Sequence, residues 1–286
     1  MGAGEWFFTG DIGGFVERVG GFLRSRAALH NTPLTALEKL RARGDGAGTL
    51  FGWLEADGEV RGVCYRPPRH LRLTVTPLGV READGLAGRL AGDGVPLGGV
   101  TADHGTATAF AGAWERHTGA AAAPFWRGRL HRLGTLTLPG PPPAGQGRRA
   151  GAGDHEHVVG WCDEFLADVG EAPAASWAVS RFADKEFTFW ETPDGTPVSM
   201  AGSTRMVGGM VRVDPVHTPA RLRGRGYAGA VTVEVSRAAL AAGARDVVLF
   251  TDPANRTSNA LYRRVGYVPL AEFTGFAFAG GALQAR

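Results

Sequence analysis

The sequence predicts a mixed α/β fold, and three observations carry that expectation. From about residue 154 onward, stretches of helical period alternate with short strand-like runs. Asp246-Val-Val-Leu-Phe-Thr251 is a continuous apolar run, as a parallel strand covered on both faces shows. Gly243 and Gly266 stand just past two of the helical stretches, where a left-handed residue ends a helix.

The elements follow in order. Asp154 can cap a helix running to about Val169, with Trp161, Phe165 and Leu166 on one face. A second helix is expected over Pro173 to Ala183, because proline is tolerated in a first helical turn. Phe187 to Glu191 reads as a strand, Asp194-Gly195 as a hairpin turn, and Val198 to Met206 and Met210 to Val216 as further strands. Gly224 to Ala242 is helical, with Tyr227, Val231, Val235, Ala238 and Ala242 at helical spacing. After the Asp246–Thr251 strand come a short helix from about Ser258 to Arg264 and strands near Tyr267 to Leu270 and Thr274 to Phe278.

A linker divides the chain. Residues 139 to 153 hold three consecutive prolines and then a glycine-rich run, a composition that stiffens the chain and disfavours a core element. The expected organisation is a first domain over 1–138, a linker over 139–146 and a second domain over 147–286. The first half echoes the second. Phe51 to Gly58 parallels Phe187 to Gly195, each a strand with an acidic residue and an Asp-Gly turn, and a stretch with Phe110 and Trp114 ending at Gly119 parallels the one with Tyr262 ending at Gly266. Such self-similarity suggests a duplicated fold.

Composition narrows the function. The 286 residues are 44% apolar and 21% charged, as in ordinary globular proteins, and the net charge is only +3. So small a net charge argues against nucleic-acid binding, which usually calls for a basic stripe or patch, and the tryptophans show no stacking pattern beside a basic groove; a local basic cluster for a small anionic ligand stays open. No apolar run approaches the roughly 18 residues of a membrane span, and the N-terminus lacks the apolar core of a signal peptide, so a cytoplasmic protein is expected. The two cysteines, Cys64 and Cys162, have no metal-type spacing and read as buried thiols. Asp154-His155-Glu156-His157 is no metal site, since on a helix His155 and His157 point about 160° apart. No metal is expected.

The chemistry concentrates in Val216-His-Thr-Pro-Ala-Arg221-Leu-Arg223-Gly224-Arg225-Gly226-Tyr227-Ala228. A strand ends, a glycine-rich loop follows and an amphipathic helix begins. Exposed N–H groups at a helix start bind anions, and glycines let a phosphate approach the backbone. Arg221, Arg223 and Arg225 add fixed charge suited to phosphate oxygens. No Gly-Lys-Ser/Thr follows, so the loop is not a P-loop.

Arg223-x-x-Gly226-x-Ala228 resembles the Gln/Arg-x-x-Gly-x-Gly/Ala signature of the GNAT superfamily of CoA-dependent N-acyltransferases. The frame beginning at Arg221 also fits, but the later one places its last residue inside the helix. Downstream, Asn255-Arg-Thr-Ser-Asn-Ala-Leu-Tyr262 followed by Gly266-Tyr267 is similar to that family's Asn-x(6)-Tyr helix with its closing glycine and aromatic. The whole resembles the tandem, actinobacterial type with a degenerate first half. The implied fold is a mixed sheet with flanking helices, built as two tandem GNAT-like domains.

The resemblance implies two neighbouring parallel strands that splay, with the pantetheine arm of acetyl-CoA lying between them as an added strand. Backbone groups of Val216, His217 and Thr218 would hold the pantetheine. The loop and helix start, Arg223, Gly224, Arg225, Gly226, Tyr227, Ala228 and Gly229, would hold the pyrophosphate, and Asn255 would contact the cofactor arm. The reaction would be direct transfer of the acetyl group to a primary amine in a ternary complex. Tyr262 is the candidate acid for the leaving thiolate. A family glutamate often lies about five residues before the asparagine, but Phe250 occupies that place; Glu191, Asp252, His217 or water chains are the candidate routes for the amine proton. Tyr262 and Glu191 are the expected catalytic pair.

The loop's counterpart in the first half, Thr76 to Asp84, has no such signature and is acidic, so one CoA site per chain is expected. Expected partners are acetyl-CoA and an amine-bearing acceptor, with neither nucleic acid nor membrane, in a monomer or homodimer. The alternatives are a catalytically weak CoA-binding regulatory or scaffold protein, and an enzyme of the same fold using another acyl donor.

Overall fold

The computed structural model describes residues 4–44, 46–68 and 71–279. The chain forms two compact units. One comprises the described residues up to Leu130 and those from Leu270 to Ala279; the other runs from His131 to Pro269. The proline-rich segment therefore falls inside the second unit.

The first unit contains β1 (Glu5–Thr9), α1 (Ile12–Ser25), α2 (Asn31–Arg43), β2 (Leu50–Ala56), β3 (Glu59–Arg66), β4 (Arg72–Val75), α3 (Val80–Gly92), β5 (Gly99–Asp103), α4 (His104–Thr118) and most of β6 (Ala122–Leu133). The second holds β7 (Gln146–Arg149), α5 (His155–Asp168), β8 (Glu186–Glu191), β9 (Pro197–Ser203), β10 (Met210–His217), α6 (Tyr227–Ala241), β11 (Asp246–Thr251), α7 (Arg256–Val265) and the start of β12 (Tyr267–Phe278). The order strand, helical segment, three strands, helix, strand, helix, strand recurs. The Asp-Gly turns at Asp57-Gly58 and Asp194-Gly195 join equivalent strands, and Gly119 and Gly266 are the left-handed caps of equivalent helices.

In each unit four strands are joined antiparallel in sequence and the next pair is parallel. The first has β1, β2, β3 and β4 antiparallel in sequence, with β4 parallel to β5. Its last neighbour is β12, whose Phe273 to Ala277 pair antiparallel with Asp103 to Gly99. The second has β7, β8, β9 and β10 antiparallel in sequence, with β10 parallel to β11. A parallel neighbour needs a crossover, and α6 supplies it.

Both faces of the second unit's sheet are covered. Trp190, Val198, Val211, Val231, Val247 and Tyr262 form one core with α6 and α7. Val158, Trp161, Leu166, Phe182, Phe189 and Met200 form the other with α5. Alternate residues of β8 divide between them, Trp190 going to one and Phe189 to the other, as the pleat requires.

Four local expectations are corrected. Pro173–Ala183 is no α-helix: only a 3-10 turn at Trp177–Val179 forms, because Phe182, Trp177 and Lys185 are held by the α5-side core and by Asp214 rather than by helical bonding. Gln146–Arg149, in the proline- and glycine-rich stretch expected to hold no core element, is an edge strand, where glycine and arginine suffice because β8 supplies the pairing. The long helix starts at Tyr227 rather than Gly224, since Gly224 and Gly226 take left-handed angles that no α-helix accommodates. The two terminal strands are one, Tyr267–Phe278. Among the described residues, no helix is long and apolar enough to cross a membrane.

Candidate functional site

The gap between β10 and β11 is the site's first element. Only Met210, Val211 and Arg212 pair with Asp246, Val247 and Val248, although β10 runs on to His217 and β11 to Thr251. On its other side β10 bulges: Val213 pairs with Ser203 and Val216 with Ala201, so three steps on β10 match two on β9. Pro215, within the bulge, donates no ladder hydrogen bond. Gly202 lies opposite, where a Cβ would come within 2.8 Å of the Asp214 carbonyl and 2.9 Å of Pro215. Only a residue without a side chain lets β9 follow the bulge so closely.

Lys185 braces the bulge from beneath. Its Nζ donates to the Asp214 carbonyl at 2.6 Å and also to the Asp214 carboxylate. Burial lowers the Lys185 ammonium to about 8 against the pull of Asp214. Burial would raise the Asp214 carboxyl, but Lys185, Arg181 and Arg212 hold it at about 2.

The second element is the start of α6. Gly226 is its N-cap with φ +86°, a conformation glycine adopts without strain, and no side chain caps the helix. The N–H groups of the first turn, from Tyr227 to Gly229, thus present donors and the positive end of the helix dipole together. The first unit differs at the same place. There the cap of α3 is Gly79, whose N–H donates to the Glu82 carboxylate at 2.7 Å, so the chain's own anion occupies the helix start. The proline segment borders the α6 start: a Cβ on Gly226 would lie 3.6 Å from Pro143, and one on Gly229 3.4 Å from Pro139.

Side chains fix the strand end and loop. Ser199 Oγ donates to the His217 carbonyl at 2.9 Å and lies 2.7 Å from the Thr218 hydroxyl. His217 is buried against Trp161, with Nε2 3.1 Å from Glu164 Oε2 and Nδ1 3.6 Å from Asp168 Oδ2. Burial lowers its pKa, more than the two carboxylates raise it. Arg223 donates through Nε to the Thr218 carbonyl at 3.0 Å and through Nη2 to Asp168. Arg225 is exposed, with Nη2 3.4 Å from the Arg221 carbonyl.

The structure thus brings Val216, His217, Thr218, Arg223, Gly224, Arg225, Gly226, Tyr227, Ala228 and Gly229 into one strand-loop-helix turn. Asn255 stands apart as the N-cap of α7, its Oδ1 accepting from Ser258 N–H at 3.0 Å. Tyr262 lies on α7, buried near Tyr267 with ring centroids 6.0 Å apart, and burial pushes its phenol well above the ordinary value. Glu191 is buried at the end of β8, its Oε1 bonded to Arg148 Nε at 2.6 Å; Arg148 also engages Asp154. Asp252 turns the following loop, accepting from Ala254 N–H at 2.8 Å.

Sequence reasoning missed Glu164 and Asp168. Their spacing of four on a predicted helix places both carboxylates on one face, a signal that was available. It missed Ser199 and Lys185 too, which no local pattern marks.

Residues 203–273, from the end of β9 into β12, match the family model described as FR47-like protein. The chain matches no curated protein. Among solved structures it is similar to a GCN5-related N-acetyltransferase from Kribbella flavida, with 20% identity over 78% of this chain and 88% of that one and a TM-score of 0.54. A GCN5-related N-acetyltransferase from Sphaerobacter thermophilus gives 19% identity, 84% of each chain and 0.54. A tandem GNAT protein from the clavulanic acid biosynthesis pathway gives 16% identity, 96% of this chain, 99% of that one and 0.58.

Proposed function

From the GNAT fold that this chain carries, we infer that it is an acyltransferase taking an acetyl group from acetyl-CoA to a primary amine by direct attack. The observation that carries this reading is the pairing of a splayed β10–β11 gap with an uncapped, doubly glycine-bent start of α6. One offers unpaired strand edge to a pantetheine arm, and the other offers N–H donors to a pyrophosphate. The FR47-like match over 203–273 spans both.

In this reading Val216, His217 and Thr218 hold the pantetheine through their backbone, and the first turn of α6 holds the pyrophosphate. Asn255, the N-cap of α7, contacts the cofactor arm. A backbone N–H of the splayed strand stabilises the oxyanion of the tetrahedral intermediate. Tyr262 serves the leaving sulfur. Because burial raises the phenol, it keeps its proton and acts first as a hydrogen-bond donor; full transfer to a thiolate of about 8.5 from a phenol of about 10 or higher runs uphill. The amine must lose a proton to attack. Glu191 is already bonded to Arg148, so it balances that charge while water carries the proton away.

The first unit has its corresponding helix start filled by Glu82, which supports one cofactor per chain. Release of CoA thiol from acetyl-CoA, followed across a panel of amines, tests the reading. Amine-dependent release supports it. Binding of CoA with no turnover on any amine leaves a CoA-binding regulatory protein, and turnover only with longer acyl-CoA moves the donor.

A further inference from the structure

The arginine of the signature loop does not hang free. Its Nε donates to the Thr218 carbonyl at 3.0 Å, closing the segment from Thr218 to Arg223 into a ring. Its Nη2 donates to Asp168, at the end of α5. The same Asp168 oxygen lies 3.6 Å from His217 Nδ1, and Glu164, one turn earlier, takes His217 Nε2 at 3.1 Å. Helix α5 therefore presents two carboxylates that grip the last residue of β10 and the loop after it. Past Arg223 the backbone turns through Gly224 at φ +79° and Gly226 at φ +86°, two residues that by themselves resist little motion. The hold on Arg223 acts just before them.

We propose that Asp168 is a positioning residue that clasps Arg223 and so holds the loop in the shape that presents the α6 amides to an anion. The proposal rests on the acyl-CoA reading and deepens it. The signature arginine acts mainly as a staple of the loop, and its charge is already balanced by Asp168 before any phosphate arrives. A free arginine would be a point of attraction that a lysine could replace. A clasp needs the fork of Nε and Nη2, which lysine lacks.

The test uses the full chain as Asp168→Ala, Arg223→Lys, Arg223→Ala and the double alanine variant. Amide hydrogen exchange of the Gly224–Gly229 segment is measured without ligand, and CoA is titrated calorimetrically. Thermal midpoints check that the exposed substitutions leave the fold intact. The pair is about half exposed, so each single variant should exchange faster in this segment alone and bind CoA about fivefold more weakly. Arg223→Lys should behave like Arg223→Ala, and the double variant should lose no more than either single one. Unchanged exchange in Asp168→Ala, or wild-type affinity in Arg223→Lys beside tighter binding in Asp168→Ala, would overturn the clasp. If the wild type binds no CoA, the acyl-CoA reading falls, and the ligand-free exchange decides the clasp by itself.

Discussion

Lys185 reaches Asp214 twice, at the main-chain carbonyl at 2.6 Å and at the carboxylate. The lysine side chain is only 4% exposed, so its charge has few other partners, and the carbonyl it takes belongs to the bulge that turns β10 away from regular pairing. Removing one member of such a buried pair leaves the other uncompensated. Lys185→Met should therefore cost about 3–5 kcal/mol in unfolding free energy, while the paired replacement Lys185→Met with Asp214→Leu should recover most of it. Urea unfolding of the three proteins checks this; a single variant as stable as the wild type would refute the role of the pair.

Stability should fall with acidity in two stages. His30 and His217 have pKa values lowered by burial, so the unfolded chain takes up their protons first. Stability is full above the ordinary histidine value of about 6.5 and declines as pH drops below it. Asp154 and Asp214 are held at about 2, by hydrogen bonds from Arg148 in the first case and, against burial, by Lys185 in the second. Their contribution is present above the ordinary carboxylate value of about 4 and is lost as pH falls towards 2. Denaturation midpoints between pH 8 and 2 follow the course, and His217→Gln should flatten the upper stage. A profile that rises on acidification would contradict it.

Tyr262→Phe keeps the aromatic packing against Tyr267 and removes only the hydroxyl. The expected result is a fall in kcat of about 10–100-fold with KM for acetyl-CoA little changed, as for a group acting on the departing thiolate. Steady-state kinetics read it directly. An unaltered kcat would leave Tyr262 as a packing residue.

Glu82→Ala removes the carboxylate that takes the Gly79 N–H at the start of α3. Loss of a helix cap costs about 1 kcal/mol, and that should be its whole effect. Thr76–Gly79 of the first unit holds no left-handed glycine, Gly79 being extended at φ −70°, and no arginine, so CoA stoichiometry should stay at one. Two sites in the variant would mean that Glu82 alone silences the first unit.

Much of this was legible in the sequence. The parallel strand Asp246–Thr251, the caps Gly243 and Gly266 and the loop from Val216 to Gly229 all depend on local patterns, and the duplicated order was announced by the Asp-Gly turns. What the sequence hid depends on distant partners. Pro173–Ala183 carries helix-compatible residues, but Phe182 and Lys185 are recruited by the sheet face. Gln146–Arg149 has no strand propensity and becomes a strand because β8 offers an edge. Glu191 reads from the sequence as a strand-end carboxylate, and its partner Arg148 lies 43 residues earlier, beyond any local pattern.

The central claim is an anion held by the uncapped start of α6. The measurement is calorimetric titration of acetyl-CoA into the wild type and into Gly226→Val. A valine at φ +86° is strained by roughly 1–3 kcal/mol and would displace the helix's first amides. One site per chain in the wild type, lost in the variant, is the predicted result. No binding to the wild type, or equal binding to both proteins, would contradict the account.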